Sequence, residues 1–203
     1  MARLVVIGAG GHGKVVVATA QALGWTVTVA DDDRANWGGQ LLGVPVDGPV
    51  APVLADTTAT CVLAIGSNAV RARLARGARC AFATLVHPAA VVHASVVLGA
   101  GTVVFAGAII QPDTRLGAHG IVNTGASIDH DCALGSAVHI APGARLAGGV
   151  TVGDEAFVGI GAVAIPGVHI GARATIGAGA AVVRDVPADA VAVGVPARPR
   201  TIG

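Results

Sequence analysis

Three consecutive blocks decide the fold: Ile121-Val122-Asn123-Thr124-Gly125-Ala126, Ser127-Ile128-Asp129-His130-Asp131-Cys132 and Ala133-Leu134-Gly135-Ser136-Ala137-Val138. Each is six residues long and carries an aliphatic residue at its second position. The same beat runs without insertion from Leu85 to Val186, through seventeen hexads. Position two is Val, Leu or Ile in all of them but one, where it is Ala164, and position three is Gly seven times. Self-similarity at a fixed period signals a repeat architecture. A hexad is too short for a strand and a helix. Three short strands joined by tight corners make a triangular coil of about eighteen residues, with the position-two side chains stacked inward and small residues at the corners. Residues eighteen apart should then lie one above the other.

That register singles out His130. It interrupts an apolar scaffold and has an acid on each side. Eighteen residues on stands Gly148, which leaves space beside the imidazole and lets a backbone N–H approach a ligand there. A base next to an N–H donor is what acyl transfer needs. Asp129 and Asp131 cannot both face one site through a strand, because neighbours in a strand point oppositely. A carboxylate near the ring would raise its pKa and fix its tautomer. His139 occupies position one of its hexad, an inward or corner place that His169 shares, and the other histidines show no close pair with a distant third that would mark a metal site.

Before the repeat, residues 1–84 alternate between strand and helix and read as a small parallel α/β unit, a Rossmann-like domain. Leu4 to Ile7 is a buried strand ending in Gly8-Ala9-Gly10-Gly11-His12-Gly13-Lys14. A helix of roughly Val15 to Leu23 follows, closed by Gly24. Strands are expected at Trp25–Ala30, Cys61–Ile65 and Cys80–Val86, with a helix over about 69–76 after Gly66-Ser67-Asn68. Residues 34–60 read as turns around one short strand. The glycine turn fits G-x-G-x-x-G, with Asp31 and Asp32 about 20 residues on as a dinucleotide site requires. It also fits G-x-x-x-x-G-K, but Val15 stands where that motif needs a hydroxyl for magnesium. About four strands are too few for a dinucleotide domain. What both motifs share is that bare glycines and a helix N-terminus let backbone N–H groups reach an anion. A nucleotide or phosphorylated ligand is one reading, and a tight turn without a ligand is the other. His12 can serve a ligand or cap the helix.

Composition bounds the function. A formal net charge of +1 offers no field for nucleic acid and no polybasic patch for a membrane surface. No long uninterrupted apolar run suggests a membrane span, and the first residues lack the form of a signal peptide. Hydrophobic residues make up 53% but aromatics only 2%, so the apolar content is small aliphatic units suited to repetitive packing. Three cysteines, Cys61, Cys80 and Cys132, without metal-type pairing favour a reduced, cytoplasmic setting. Cys132 beside His130 reads as core filling rather than as a nucleophile.

The glycine turn, the hexads and the Asn123 to Cys132 segment with Gly148-Gly149 together resemble the hexapeptide-repeat sugar acyltransferases. That family includes the nucleotide-linked amino-sugar N-acetyltransferases of bacillosamine and perosamine synthesis and the sialic acid O-acetyltransferases. The resemblance spans the whole chain. It implies an all-β left-handed parallel β-helix over 85–203, with a closing tail at 187–203 that contains Gly194-Val195-Pro196-Ala197-Arg198, and a homotrimer. It implies acetyl-CoA as cosubstrate, no metal, and transfer to the amino group of a UDP- or GDP-linked 4-amino-4,6-dideoxy sugar. By the same likeness His130 is the general base, Asp131 raises its basicity, Gly148 donates to the thioester carbonyl and Asn123 is a polar residue of the site. His139, Ile160 and Ala178 match acetyl-CoA contacts. Gly10, Gly11, His12, Asp31, Asp32 and Gly66 match the nucleotide–sugar site. A hydroxyl acceptor and a non-catalytic nucleotide-binding trimer are the two alternatives.

Overall fold

The computed structural model describes residues 3–200. The N-terminal part is a four-stranded parallel sheet built from β1 (Arg3–Ile7), β2 (Thr26–Ala30), β5 (Thr60–Leu63) and β6 (Ala81–Phe82), in the order β2-β1-β5-β6. Helix α1 (Gly11–Ala22) follows β1, and α3 (Asn68–Gly77) follows β5. The chain leaves β1 towards β2 on one side and returns to β5 on the other, so β1 and β5 flank a topological switch point. Open parallel sheets bind ligands beyond the strand ends at such a point.

Two sequence expectations need correction. Helix α1 begins at Gly11, inside the glycine turn, because a helix N-terminus tolerates residues without a side chain. Residues 34–60 hold more than one strand: a short 3-10 turn at Arg34–Asn36, an antiparallel hairpin of β3 (Gln40–Leu41) and β4 (Val44–Pro45), and a six-residue helix α2 (Val50–Ala55). Pieces this short carry too few periodic residues to stand out in the sequence.

From Leu85 the chain winds into a left-handed parallel β-helix of about seven turns. Its first face stacks the rungs Leu85–Val86, Val103–Val104, Ile121–Val122, His139–Ile140, Phe157–Val158 and Thr175–Ile176, and Val191–Val193 adds a further parallel rung from the tail. The second face runs from Val91–Val92 through Ser127–Ile128 to Ala181–Val182, and the third from Val97–Leu98 through Ala133–Leu134 to His169–Ile170. Each hexad rung pairs with the rung eighteen residues away, as in Ile121 with His139 and Ser127 with Arg145, whereas the tail rung meets Thr175 from Val191. The position-two residues from Val104 to Val182 are all buried and form one continuous core. The tail turns back as Arg198–Arg200, antiparallel to Val191–Val193, and closes that end. Residues 201–203 of the tail lie outside the described residues.

Position one points out of the prism, not inward or into a corner as expected for His139. On the first face the outward side chains from Leu85 to His139 are buried because the α/β unit sits on them. Leu85, Val103 and Ile121 are at most 1% exposed and share a core with Leu4, Val6, Val16 and Val62.

Candidate active site

The turns after β1 and β5 touch. Gly8 has φ 115°, and a Cβ there would lie 2.8 Å from Ile65 Cδ1. At Gly13 a Cβ would strike the Gly8 carbonyl, so the turn folds this tightly only with glycine at both ends. Around Gly10 and Gly11 the space is open. Their N–H groups lie at the N-terminus of a twelve-residue helix that has no side-chain cap, which is a site for an anion. Asp31 closes the turn from β2: its Oδ2 accepts the Ala9 N–H at 2.6 Å and its Oδ1 accepts the Asp33 N–H at 2.7 Å. Asp32 Oδ1 accepts the Val50 N–H at 2.9 Å, leaving the other oxygen uncommitted. Gly66 lines a cavity of about 350 Å³ with Ser67, Asn68, Phe157 and Thr175, and Ala9 lines a smaller one with Asn36 and Gln40.

His12 reaches down from the turn onto the first face. Its ring packs edge-on to Phe105, with centroids 5.5 Å apart, and stands 6.1 Å from the ring of His139. Burial pushes both imidazoles down to about 4, and the Arg71 guanidinium adds to the effect. His139 is 8% exposed, edge-on to Phe157, with Nε2 3.1 Å from Asn123 Nδ2.

Arg71 and Asn68, both on α3, were not singled out in the sequence. Arg71 is 1% exposed. It donates to the carbonyls of His119 and Ile65 at 2.8 Å, of Ala137 at 2.8 Å and of Val138 at 3.1 Å, and to Asn68 Oδ1 at 3.0 Å. Asn68 Nδ2 donates to the Glu155 and Ala156 carbonyls, both at 2.9 Å. These bonds fix the α/β unit to the vertex between the third and first faces. Burial lowers the Arg71 pKa to about 10, so the guanidinium stays charged near neutrality.

His130 stands on another vertex, between the second and third faces. Asp131 adopts φ 57° at that corner, which swings its carboxylate beside the ring, and Oδ2 lies 2.7 Å from His130 Nδ1. The strand rule of opposite faces does not govern a corner. Asp129 turns away and accepts the His130 backbone N–H at 2.9 Å. The Asp131 hydrogen bond raises the His130 pKa above the ordinary imidazole range, and the charges of Asp129 and Asp131 act in the same direction. With Nδ1–H donated to Asp131, Nε2 keeps a free lone pair. Gly148 lies against that edge, though not beneath open space as its spacing suggested: the ring itself fills the place, and a Cβ on Gly148 would sit 2.6 Å from Cε1 and Nε2. The N–H of Gly148 makes no backbone hydrogen bond among the described residues. Cys132 is 1% exposed in the core, and burial raises its thiol pKa.

Asn123 stands at the vertex between the first and second faces, where Ile160 and Ala178 follow on later coils. Ile160 is 57% exposed. Ile160 and Ala178 likewise have N–H groups without a backbone partner among the described residues. The predicted residues thus fall into three groups on one chain: the glycine turn with His139 on the first face, Asn123, Ile160 and Ala178 on the next vertex, and His130, Asp131 and Gly148 on the vertex opposite the first face. No cluster of three or more His, Cys, Asp or Glu suited to a metal ion occurs among the described residues, and no helix among them is long and apolar enough to cross a membrane.

The PglD N-terminal domain model matches residues 3–78. No curated protein sequence matches the chain. Among solved structures, a mutant of perosamine N-acetyltransferase from Caulobacter crescentus, in complex with CoA and GDP-perosamine, is 45% identical with a TM-score of 0.93, over 99% of this chain and 98% of that one. The acetyltransferase domain of PglB from Neisseria gonorrhoeae FA1090, in complex with acetyl coenzyme A, is 38% identical with a TM-score of 0.92, over 98% of both chains. WeeI from Acinetobacter baumannii AYE is 27% identical with a TM-score of 0.87, over 98% of this chain and 100% of that one. Near-complete coverage at such identity, on a shared two-part architecture, places this chain in the family of hexapeptide-repeat sugar acyltransferases.

Proposed function

We propose that the protein transfers an acetyl group from acetyl-CoA to the amino group of a GDP-linked 4-amino-4,6-dideoxy sugar. The observation that carries this reading is the tied His130: one ring nitrogen is held by Asp131 at 2.7 Å and the other is free beside Gly148. The likeness to a perosamine N-acetyltransferase solved with GDP-perosamine supports the choice of nucleotide.

In this mechanism His130 Nε2 accepts a proton from the sugar amine as its nitrogen bonds to the acetyl carbonyl carbon. The Gly148 N–H donates to the carbonyl oxygen as negative charge develops there. The carbon–sulfur bond breaks, and the proton held on His130 passes to the departing sulfur. The N–H groups of Gly10 and Gly11 at the start of α1 hold the diphosphate, and the uncommitted oxygen of Asp32 accepts from the nucleoside. Ile160 and Ala178 hold the pantetheine chain through their free N–H groups.

The three groups meet when copies associate. The second face lies between the vertex of His130 and that of Ile160, and it exposes Val91 at 63%, Ile109 at 39% and Val163 at 41%. Apart from Ser127 and Arg145, which stand between Ile109 and Val163, the outward row of this face is apolar and suited to burial against another copy. In a cyclic trimer packed through it, the His130 vertex of one copy faces the Ile160 vertex and glycine turn of the next. Mixing His130→Ala chains with Gly11→Glu chains, each poorly active alone, should restore activity on joint reassembly. No gain over the separate variants would place the whole site within one chain.

The test of the reaction is a direct assay with acetyl-CoA. Acetylation of a GDP-linked 4-amino sugar, with little on the UDP-linked sugar or on a hydroxyl acceptor, is the expected result. Preference for the hydroxyl acceptor would overturn N-acetylation, and preference for the UDP sugar would overturn the nucleotide.

A further inference from the structure

The side-chain amide of Asn123 has a determined orientation. Its Oδ1 accepts the Thr124 backbone N–H at 2.8 Å, so Nδ2 is the atom 3.1 Å from His139 Nε2. An amide nitrogen only donates. His139 Nε2 must then accept, and the neutral ring carries its proton on Nδ1. That nitrogen is buried with no hydrogen-bond partner among the described residues, and the Gly66 backbone lies near the ring. Gly66 belongs to the turn after β5, at the switch point of the sheet. Phe157 packs edge-on to the ring with centroids 5.2 Å apart and holds its plane. The titratable and charged groups that face His139 are His12 from α1 and Arg71 from α3, and both oppose a second proton on the ring.

We propose that His139 is a positioning residue: as the Nδ1–H tautomer it accepts one N–H of Asn123 and so presents the other as a fixed donor at the vertex where Ile160 and Ala178 follow. The expected role is therefore not a direct contact with acetyl-CoA. Without the His139 acceptor the Thr124 bond would still hold Oδ1, but Nδ2 would lose the partner that fixes the direction of its second N–H. This inference rests on the N-acetyltransferase reading for its kinetic consequence, but the tautomer stands apart from it.

The experiment has two arms. Imidazole nitrogen NMR of the wild-type chain near neutral pH should show His139 with Nδ1 protonated and Nε2 bare. A ring protonated on Nε2, or on both nitrogens, overturns the proposal whatever the protein's activity. In the second arm His139→Phe keeps a ring against Phe157 and removes the acceptor. It should lower kcat about tenfold, the worth of one lost hydrogen bond, with KM for acetyl-CoA within about twofold and the thermal midpoint checked for folding. A raised KM at unchanged kcat would make His139 a ligand contact and overturn the positioning role. Should His139→Phe fail to fold, Asn123→Asp replaces it: a carboxylate facing Nε2 should draw a second proton onto His139 at a higher pH than in the wild type, and an unmoved titration would contradict the contact. If no acetyl transfer occurs at all while the tautomer is as stated, the function fails and the geometry survives.

Discussion

Asp131 reaches the His130 ring because its backbone is left-handed at φ 57°, a conformation that aspartate tolerates better than most residues. The pair was legible in the sequence as chemistry, since an imidazole between two acids is rare on an aliphatic scaffold. Which acid would serve was not legible from alternation, because the corner breaks it. The consequence is a pH dependence. As the proposed base, His130 would work when neutral, and Asp131 raises its pKa, so activity should rise with pH through a midpoint above the ordinary imidazole value of about 6.5. Asp131→Asn removes the largest cause of the shift. Its acid limb in kcat/KM should move to lower pH, with a plateau reduced on the order of tenfold because the base is weaker. An unmoved acid limb would mean that another group titrates.

Among the elements, α3 couples the two halves. Its sequence showed an arginine-rich helix, and nothing in the spacing distinguished Arg71 from Arg73 or Arg76. Only the docked vertex does so, by presenting the carbonyls of His119, Ala137 and Val138 to one guanidinium. Replacing it with an apolar side chain leaves several buried carbonyls without donors, at about 1–3 kcal/mol each. Arg71→Met should therefore lower the thermal midpoint by roughly 6–12 °C, taking about 3 kcal/mol and about 2–4 °C per kcal/mol for a chain of this size. Differential scanning calorimetry reads this directly, and a shift under about 2 °C would contradict the clamp. The hexads, by contrast, were legible to the residue. Period and phase come from the backbone geometry of a coil, and each of seventeen repeats states them again. Their partners were less so. Position one reads Leu85, Val103, Ile121, His139 and Phe157 on the first face but Val97, Arg115, Ala133, Thr151 and His169 on the third. That contrast at eighteen-residue spacing was the available signal for where the α/β unit docks.

At the scale of the molecule, docking buries His139 and partly buries His12 as neutral rings near the contact between the two units. Their folded pKa values of about 4 lie below the unfolded value of about 6.5. The unfolded chain therefore binds more protons between those values, and stability is fully present above about pH 6.5 and is lost as the pH falls towards about 4. Chemical denaturation across this window should show the fall, and replacing both histidines with Phe should flatten it. A profile just as steep in the double variant would place the acid sensitivity elsewhere. Three groups of site residues on separate parts of one prism were not foreseeable from motifs, because a motif fixes a corner and not the neighbour that faces it. The central claim is that His130 removes the proton from the acceptor amine. The most direct measurement is single-site turnover of His130→Ala with acetyl-CoA and a GDP-linked 4-amino sugar, alongside calorimetric binding of that sugar nucleotide. The account predicts a fall in kcat by a factor on the order of 10²–10⁴ with binding little changed, whereas turnover near that of the wild type would contradict it.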